Sequence, residues 1–231
     1  MTDSLPKPST ILGGILLTLL IMLVLSTGIE MLALRPLIPK HFEVAYFIDR
    51  TFYWASIAVL WLFATKVEKQ HLLIWKDNRY SIGTLLSHLV ALLFITVICV
   101  YLAGFLISWM THEGPSKLAP KVAEFLRDKM FLLFFTALTA GVTEEIIFRG
   151  YLQTRLEQLL KNPYWAIFIS SLIFGLVHFR YGTIKNMVGP FVIGLVLATY
   201  YWRYRNIKVT ITLHFLWDFA GLLILIWYHS H

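Results

Sequence analysis

Three groups of polar residues stand inside otherwise apolar stretches, each with the spacing of neighbours on a helix. The first is Glu144-Glu145, with Arg149 following. The second is Phe174 and His178, and the third is His214 and Asp218. Residues four apart on an α-helix point about 40° from one another, and residues five apart about 140°. Glu145 and Arg149 can therefore pair, and Glu144 is directed elsewhere. A carboxylate withdrawn from water is a better base near neutral pH, which makes Glu144 a candidate general base. Glu145 with Arg149 reads as a supporting pair. His214 and Asp218 can form an imidazole oriented by its carboxylate, or two metal ligands. His178 ends an apolar run, with Phe174 on its face and Gly175 permitting close helix approach. Taken alone, the Glu144 group also reads as an interfacial charge cluster ending a span and His178 as an interfacial residue, whereas His214 and Asp218 sit within a 20-residue apolar stretch.

No second constellation competes. The chain has no HExxH, no GxSxG and no Walker-type loop. Cys99, the only cysteine, lies within an apolar run, so neither a disulfide nor a CxxC site can form within the chain. No serine carries a base at matching spacing, which leaves water as the nucleophile. His112-Glu113 reads as a solvated loop, and Glu30 and His88 as helix-end or packing residues.

The elements that must hold these groups are set by composition. Hydrophobic residues make up 58% of the 231, with mean hydropathy +0.70, against about 45–50% in soluble domains. One packed core cannot bury that excess, so lipid is its solvent. Charged residues, 14% of the chain, cluster between the apolar runs. The pattern predicts an all-α polytopic transmembrane bundle of about seven spans, at 11–29, 44–65, 82–110, 130–150, 163–179, 187–202 and 209–228. Helices are required because lipid satisfies no backbone hydrogen bond. Residues 1–129 are expected to form N-terminal spans with an interfacial helix, and residues 130–231 a catalytic helical core.

The fourth span is the informative one. Residues 130–143 carry no charge but cover only about 21 Å, so Glu144, Glu145 and Arg149 must enter or border the membrane. Ionisable groups there are costly and mark function by default. Before that span, Val122, Phe125 and Leu126 share one face and Pro120 suits a helix start, as in a short interfacial helix. The net charge of +7 is expected to meet lipid headgroups rather than nucleic acid. Basic residues divide too evenly among the loops to fix orientation, including Arg149 and Arg155, which are counted on the inner side. The first apolar run exceeds a signal-peptide core and reads as a retained span. The terminal His229-Ser230-His231 is no prenylation box.

Together, Glu144-Glu145-Ile-Ile-Phe-Arg149-Gly150, Phe174-Gly-Leu-Val-His178 and His214-Phe-Leu-Trp-Asp218 resemble the CPBP family, the CAAX prenyl protease and bacteriocin-processing family, also called Abi. Its pattern is EExxxR, FxxxH and Hxxx(N/D) on successive core helices, and all three motifs occur in order. The resemblance covers roughly residues 130–228. It implies an endopeptidase with its site inside the membrane. Glu144 and His178 would hold and activate the attacking water, and His214 and Asp218 would stabilise the oxyanion or orient the substrate. Asp218 stands where the prenyl-protease branch resembles Asn. An amide can donate to an oxyanion, whereas an ionised carboxylate only accepts.

No cofactor is required by this reading. Zinc held by Glu144, His178, His214 and Asp218 stays open as an alternative. The expected partners are membrane lipids and a membrane-associated peptide or protein substrate, and the expected location is a bacterial inner membrane. Two rivals remain: a non-catalytic immunity or scaffold protein of the same fold, and a proton-coupled transporter, which would call for internal repeats that the chain lacks.

Overall fold

The structure is a computed structural model and describes residues 6–27, 42–114, 116 and 119–230. Every regular element among the described residues is helical. Helix α1 spans Pro8–Thr27, α2 Phe42–Phe63, α3 Ile82–Thr111, α4 Ala119–Leu126, α5 Met130–Glu145, α6 Thr154–Leu160, α7 Pro163–Val177, α8 Lys185–Tyr204 and α9 Ile207–Ser230. Two wide π-helical segments interrupt this order. Ala64–Glu68 ends α2, and Ile146–Gln153 joins α5 to α6.

The expected all-α membrane bundle forms, with the spans distributed differently. Among the described residues, five stretches are long and apolar enough to cross a membrane: Pro8–Leu25, Tyr46–Glu68, Ile82–Thr111, Met130–Leu160 and Ile207–Ser230. Helix α7 is apolar but only 15 residues long, about 22 Å. It packs along α8, which carries Pro190 within it. The fourth span also continues well past Gly150, to Leu160. Arg149, expected to enter or border the membrane, is 1% exposed, and Arg155, counted among loop charges, is 0% exposed. Each has a buried carboxylate partner, which is what allows a cation to remain inside a helix bundle.

The core has two parts. One gathers Ile11 and Ile15 of α1, Leu60 of α2, Phe148 and Tyr151 of the wide segment and Phe174 of α7. The other gathers Leu92 of α3, Ile193 and Leu197 of α8 and Leu213 of α9. Small residues set the helix approaches between them. A Cβ at Gly141 would stand 2.8 Å from the backbone nitrogen of Phe215, and one at Gly175 would stand 2.8 Å from the carbonyl of Met187. These two glycines let α5 meet α9 and α7 meet α8 at backbone distance.

The short helix before the fourth span is present as α4, with Pro120 in its first turn and Ala123 and Leu126 buried. Arg127 Nη2 donates to the carbonyl of His229 at 3.1 Å, tying this segment to the end of α9. His88 packs as expected, its Nδ1 3.0 Å from the Tyr200 hydroxyl and its ring against Tyr80 and Tyr204. Glu113 departs from its reading as a solvated loop residue. Its carboxylate accepts from the backbone N–H of Ile184 at 2.9 and 2.8 Å and of Lys185 at 3.4 Å, capping α8. The orphan N–H groups of a helix start attract an acidic side chain from a distant loop, which local spacing does not reveal. Glu30 lies outside the described residues.

Candidate active site

Glu144 and Glu145 are the last two residues of α5, immediately before the backbone widens into its π segment. Such segments are rare and recur at functional sites. Arg149 lies inside the wide turn, and its Nη1 is 2.7 Å from Glu145 Oε1. The expected pair is therefore present, and it is fully buried. The guanidinium also lies 4.5 Å over the ring of Phe174, a favourable placement for a cation. Arg149 Nη2 reaches the carbonyl of Gly194 at 3.5 Å, and Gln153 Nε2 donates to the carbonyl of Ala198 at 3.0 Å. Two residues four apart on the wide segment thus meet two carbonyls four apart on α8.

Glu145 has a second partner that the spacing of the sequence did not reveal. His214 Nδ1 stands 2.8 Å from Glu145 Oε1. With Nδ1 as donor, the ring orientation is set, and Nε2 faces the opposite way. Nε2 lies 3.6 Å from Asp218 Oδ2 and 3.9 Å from Glu144 Oε2. Spacing offered Asp218 as one candidate to orient His214; the hydrogen bond donated by His214 Nδ1–H goes to Glu145. The contact joins α5 to α9 across 69 positions of sequence, so no local pattern could disclose it.

His178 follows the last residue of α7 and begins a tight 3-10 turn, His178–Tyr181. Its Nδ1 is 2.7 Å from the carbonyl of Phe174, as expected for a histidine four residues on. Phe174 sits at the centre, its ring centroid 4.8 Å from that of His178 and 5.8 Å from that of His214. The structure thus brings Glu144, His178, His214 and Asp218 to one place, with Glu145, Arg149 and Phe174 behind them.

Exposure divides these groups. The side chains of Glu145, Arg149 and His214 are 0%, 1% and 5% exposed, whereas Glu144 is 13% and Asp218 31% exposed. Glu144 Oε2 is buried and accepts no hydrogen bond, and the same holds for Glu145 Oε2. An unsatisfied carboxylate oxygen in a protein interior costs free energy and calls for an explanation. As to a metal, no three His, Cys, Asp or Glu side chains among the described residues are grouped so as to hold an ion. The side chains as placed do not make a ligand set.

A second buried cluster lies along the same helix. Tyr151 and Arg155 both bind Glu68, the last residue of the wide turn that ends α2. Sequence reasoning missed it because Glu68 and Arg155 lie 87 positions apart and resemble loop charges.

The chain was compared with protein families, curated proteins and solved structures. Residues 125–220 match the family described as type II CAAX prenyl endopeptidase Rce1-like. No curated protein and no solved structure matches the chain. The match begins in α4 and ends in α9, and it encloses all three motifs and every residue of the candidate site. Residues 125–220 are thus similar to the Rce1-like family, which supports a place for this segment in the CPBP family.

Proposed function

We propose that the protein is an intramembrane endopeptidase that hydrolyses a peptide bond in a membrane-associated protein or peptide, with Glu144 as general base. The observation that carries the reading is Glu144 Oε2, which is buried, accepts no hydrogen bond and stands 3.9 Å from His214 Nε2. A carboxylate oxygen with no hydrogen-bond donor of its own is free to take a proton from water. The partial exposure of Glu144 and Asp218 gives water and substrate access from one side.

In this mechanism a water held by Glu144 and His178 attacks the scissile carbonyl carbon. Its proton passes to Glu144, and the carbonyl oxygen becomes the oxyanion of a tetrahedral intermediate. The doubly protonated form of His214 donates Nδ1–H to Glu145 and turns Nε2–H towards the reacting side, where it stabilises that charge. Collapse of the intermediate breaks the C–N bond, and Glu144 returns its proton to the leaving amine. Arg149 balances the charge of Glu145 so that the carboxylate can hold the imidazole.

A bacterial inner membrane is the setting that this reading favours. The test is cleavage of a reporter peptide by purified protein in liposomes, comparing wild type with Glu144→Gln and with a chelator-treated sample. Glu144→Gln keeps the shape and removes the base, so turnover should vanish while expression and peptide binding persist. Undiminished cleavage would end this mechanism. Loss on chelation with recovery on adding zinc would move the assignment to metal-assisted hydrolysis.

A further inference from the structure

Glu68 lies before the family-matched segment, yet its carboxylate is buried against the helix that carries the site. Arg155 uses all five of its N–H donors in this cluster. Nε donates to Glu68 Oε2 at 3.1 Å, and Nη2 donates to Glu68 Oε2 at 2.7 Å and the carbonyl of His71 at 2.8 Å. Nη1 donates to the carbonyl of Leu72 at 2.8 Å and the hydroxyl of Thr154 at 3.3 Å. The other oxygen of Glu68 accepts from the Tyr151 hydroxyl at 2.7 Å. Helix α1 is shaped around the cluster, because a Cβ at Gly14 would run into the Tyr151 hydroxyl and the Glu68 carboxylate.

The wide segment Ile146–Gln153 is pinned at both ends. At its start, Glu145 binds His214, and at its finish, Tyr151 and Arg155 bind Glu68. A π-helix takes more residues per turn than an α-helix. If the segment rewound to α geometry, the residues beyond it would rotate relative to Glu144 and Glu145. Both sets of contacts are in register only while the turn stays wide. Arg149 sits inside that turn and is the cation on which the Glu145–His214 contact rests.

We infer that Glu68, through Tyr151 and Arg155, is a positioning residue for the candidate active site, holding the wide turn that places Arg149 against Glu145 and hence Glu145 against His214. This rests on the endopeptidase reading for its kinetic consequence alone; the structural consequence stands without it. The N-terminal helices, which carry none of the three motifs, would then set the geometry of the reacting groups.

The variant that tests this is Tyr151→Phe, which deletes one hydroxyl and leaves the ring and the Arg155–Glu68 ion pair. Two readouts are taken on folded, purified protein in detergent: kcat and KM for the reporter peptide, and the imidazole 15N signal of His214, identified by its loss in His214→Gln. The expected result is a fall in kcat of about tenfold with KM within about twofold, together with a shifted His214 signal. Glu68→Gln, which removes the charge facing Arg155, should shift the same signal further. An unmoved His214 signal in both variants overturns the inference, whatever their melting temperatures. If the wild type cleaves no peptide, the endopeptidase reading fails, and the His214 signal alone still decides whether Glu68 positions the site.

Discussion

Two buried Glu–Arg clusters lie on one helical path, and they differ in how completely they are satisfied. At Glu68 and Arg155 the guanidinium uses all five donors and both carboxylate oxygens accept. At Glu145 and Arg149 the ion pair is as short, 2.7 Å in each case. Yet Glu145 Oε2 and the neighbouring Glu144 Oε2 remain without hydrogen bonds. The first cluster is closed to solvent on both sides, whereas beside the second Asp218 is 31% exposed. A saturated cluster has no capacity left for a reacting molecule and can only hold helices together. An unsaturated one keeps lone pairs free at a cost in stability, which is the usual mark of a site that binds or reacts.

The sharpest way to break the comparison is to remove one lone pair from the open cluster. Glu144→Gln should lower turnover by about 10²–10⁴-fold, the usual contribution of a general base. Its melting temperature should stay close to that of the wild type, since Glu144 forms no ion pair closer than 3.9 Å to His214. A variant that loses its fold along with its activity would show that Glu144 belongs with the structural residues.

The arginines provide the next contrast. Arg155→Ala strips a fully buried carboxylate of its cation and should destabilise the fold by about 3–5 kcal/mol. Thermal unfolding in detergent should show it as a lowered midpoint and a poor folded yield. Arg149→Ala should lower both folded yield and activity, because Glu145 loses its cation and His214 its oriented partner. A fully stable but inactive Arg149→Ala would assign the guanidinium to substrate or intermediate instead.

Much of the site was legible because helix spacing is local. Glu145 with Arg149, and Phe174 with His178, lie four apart, and the structure places both pairs in contact. The expectation of lipid-borne helices followed from hydropathy and also needed no tertiary information. What the sequence hid was long-range or non-standard. A regular α-helix was assumed through residue 150, whereas the backbone widens at Ile146 and then continues to Leu160. Arg155 looked like a loop charge because its burial depends on a carboxylate in another helix. Glu113 looked solvated because the N–H groups it caps are 71 positions away. Asp218, four residues along the same helix, lies 3.6 Å from His214 Nε2, but the hydrogen bond of His214 Nδ1 goes to Glu145 on α5, which no local spacing discloses.

That last substitution of partners gives the smallest and most discriminating expectation. If Asp218 oriented His214, replacing it with Asn would release the imidazole and cost as much as losing the orienting residue itself. The distances argue otherwise: Glu145 Oε1 is 2.8 Å from Nδ1, whereas Asp218 Oδ2 is 3.6 Å from Nε2, beyond hydrogen-bond range. Asp218→Asn keeps the shape, removes one negative charge near His214 and adds an N–H donor on the reacting side. Turnover should therefore stay within about tenfold of wild type, the scale of one hydrogen bond. Glu145→Gln should cost more, because it weakens the Nδ1 contact and leaves the Arg149 charge unbalanced. Steady-state cleavage by the two variants, measured in the same liposomes, settles the order. A loss in Asp218→Asn equal to that in Glu145→Gln would return the orienting role to Asp218.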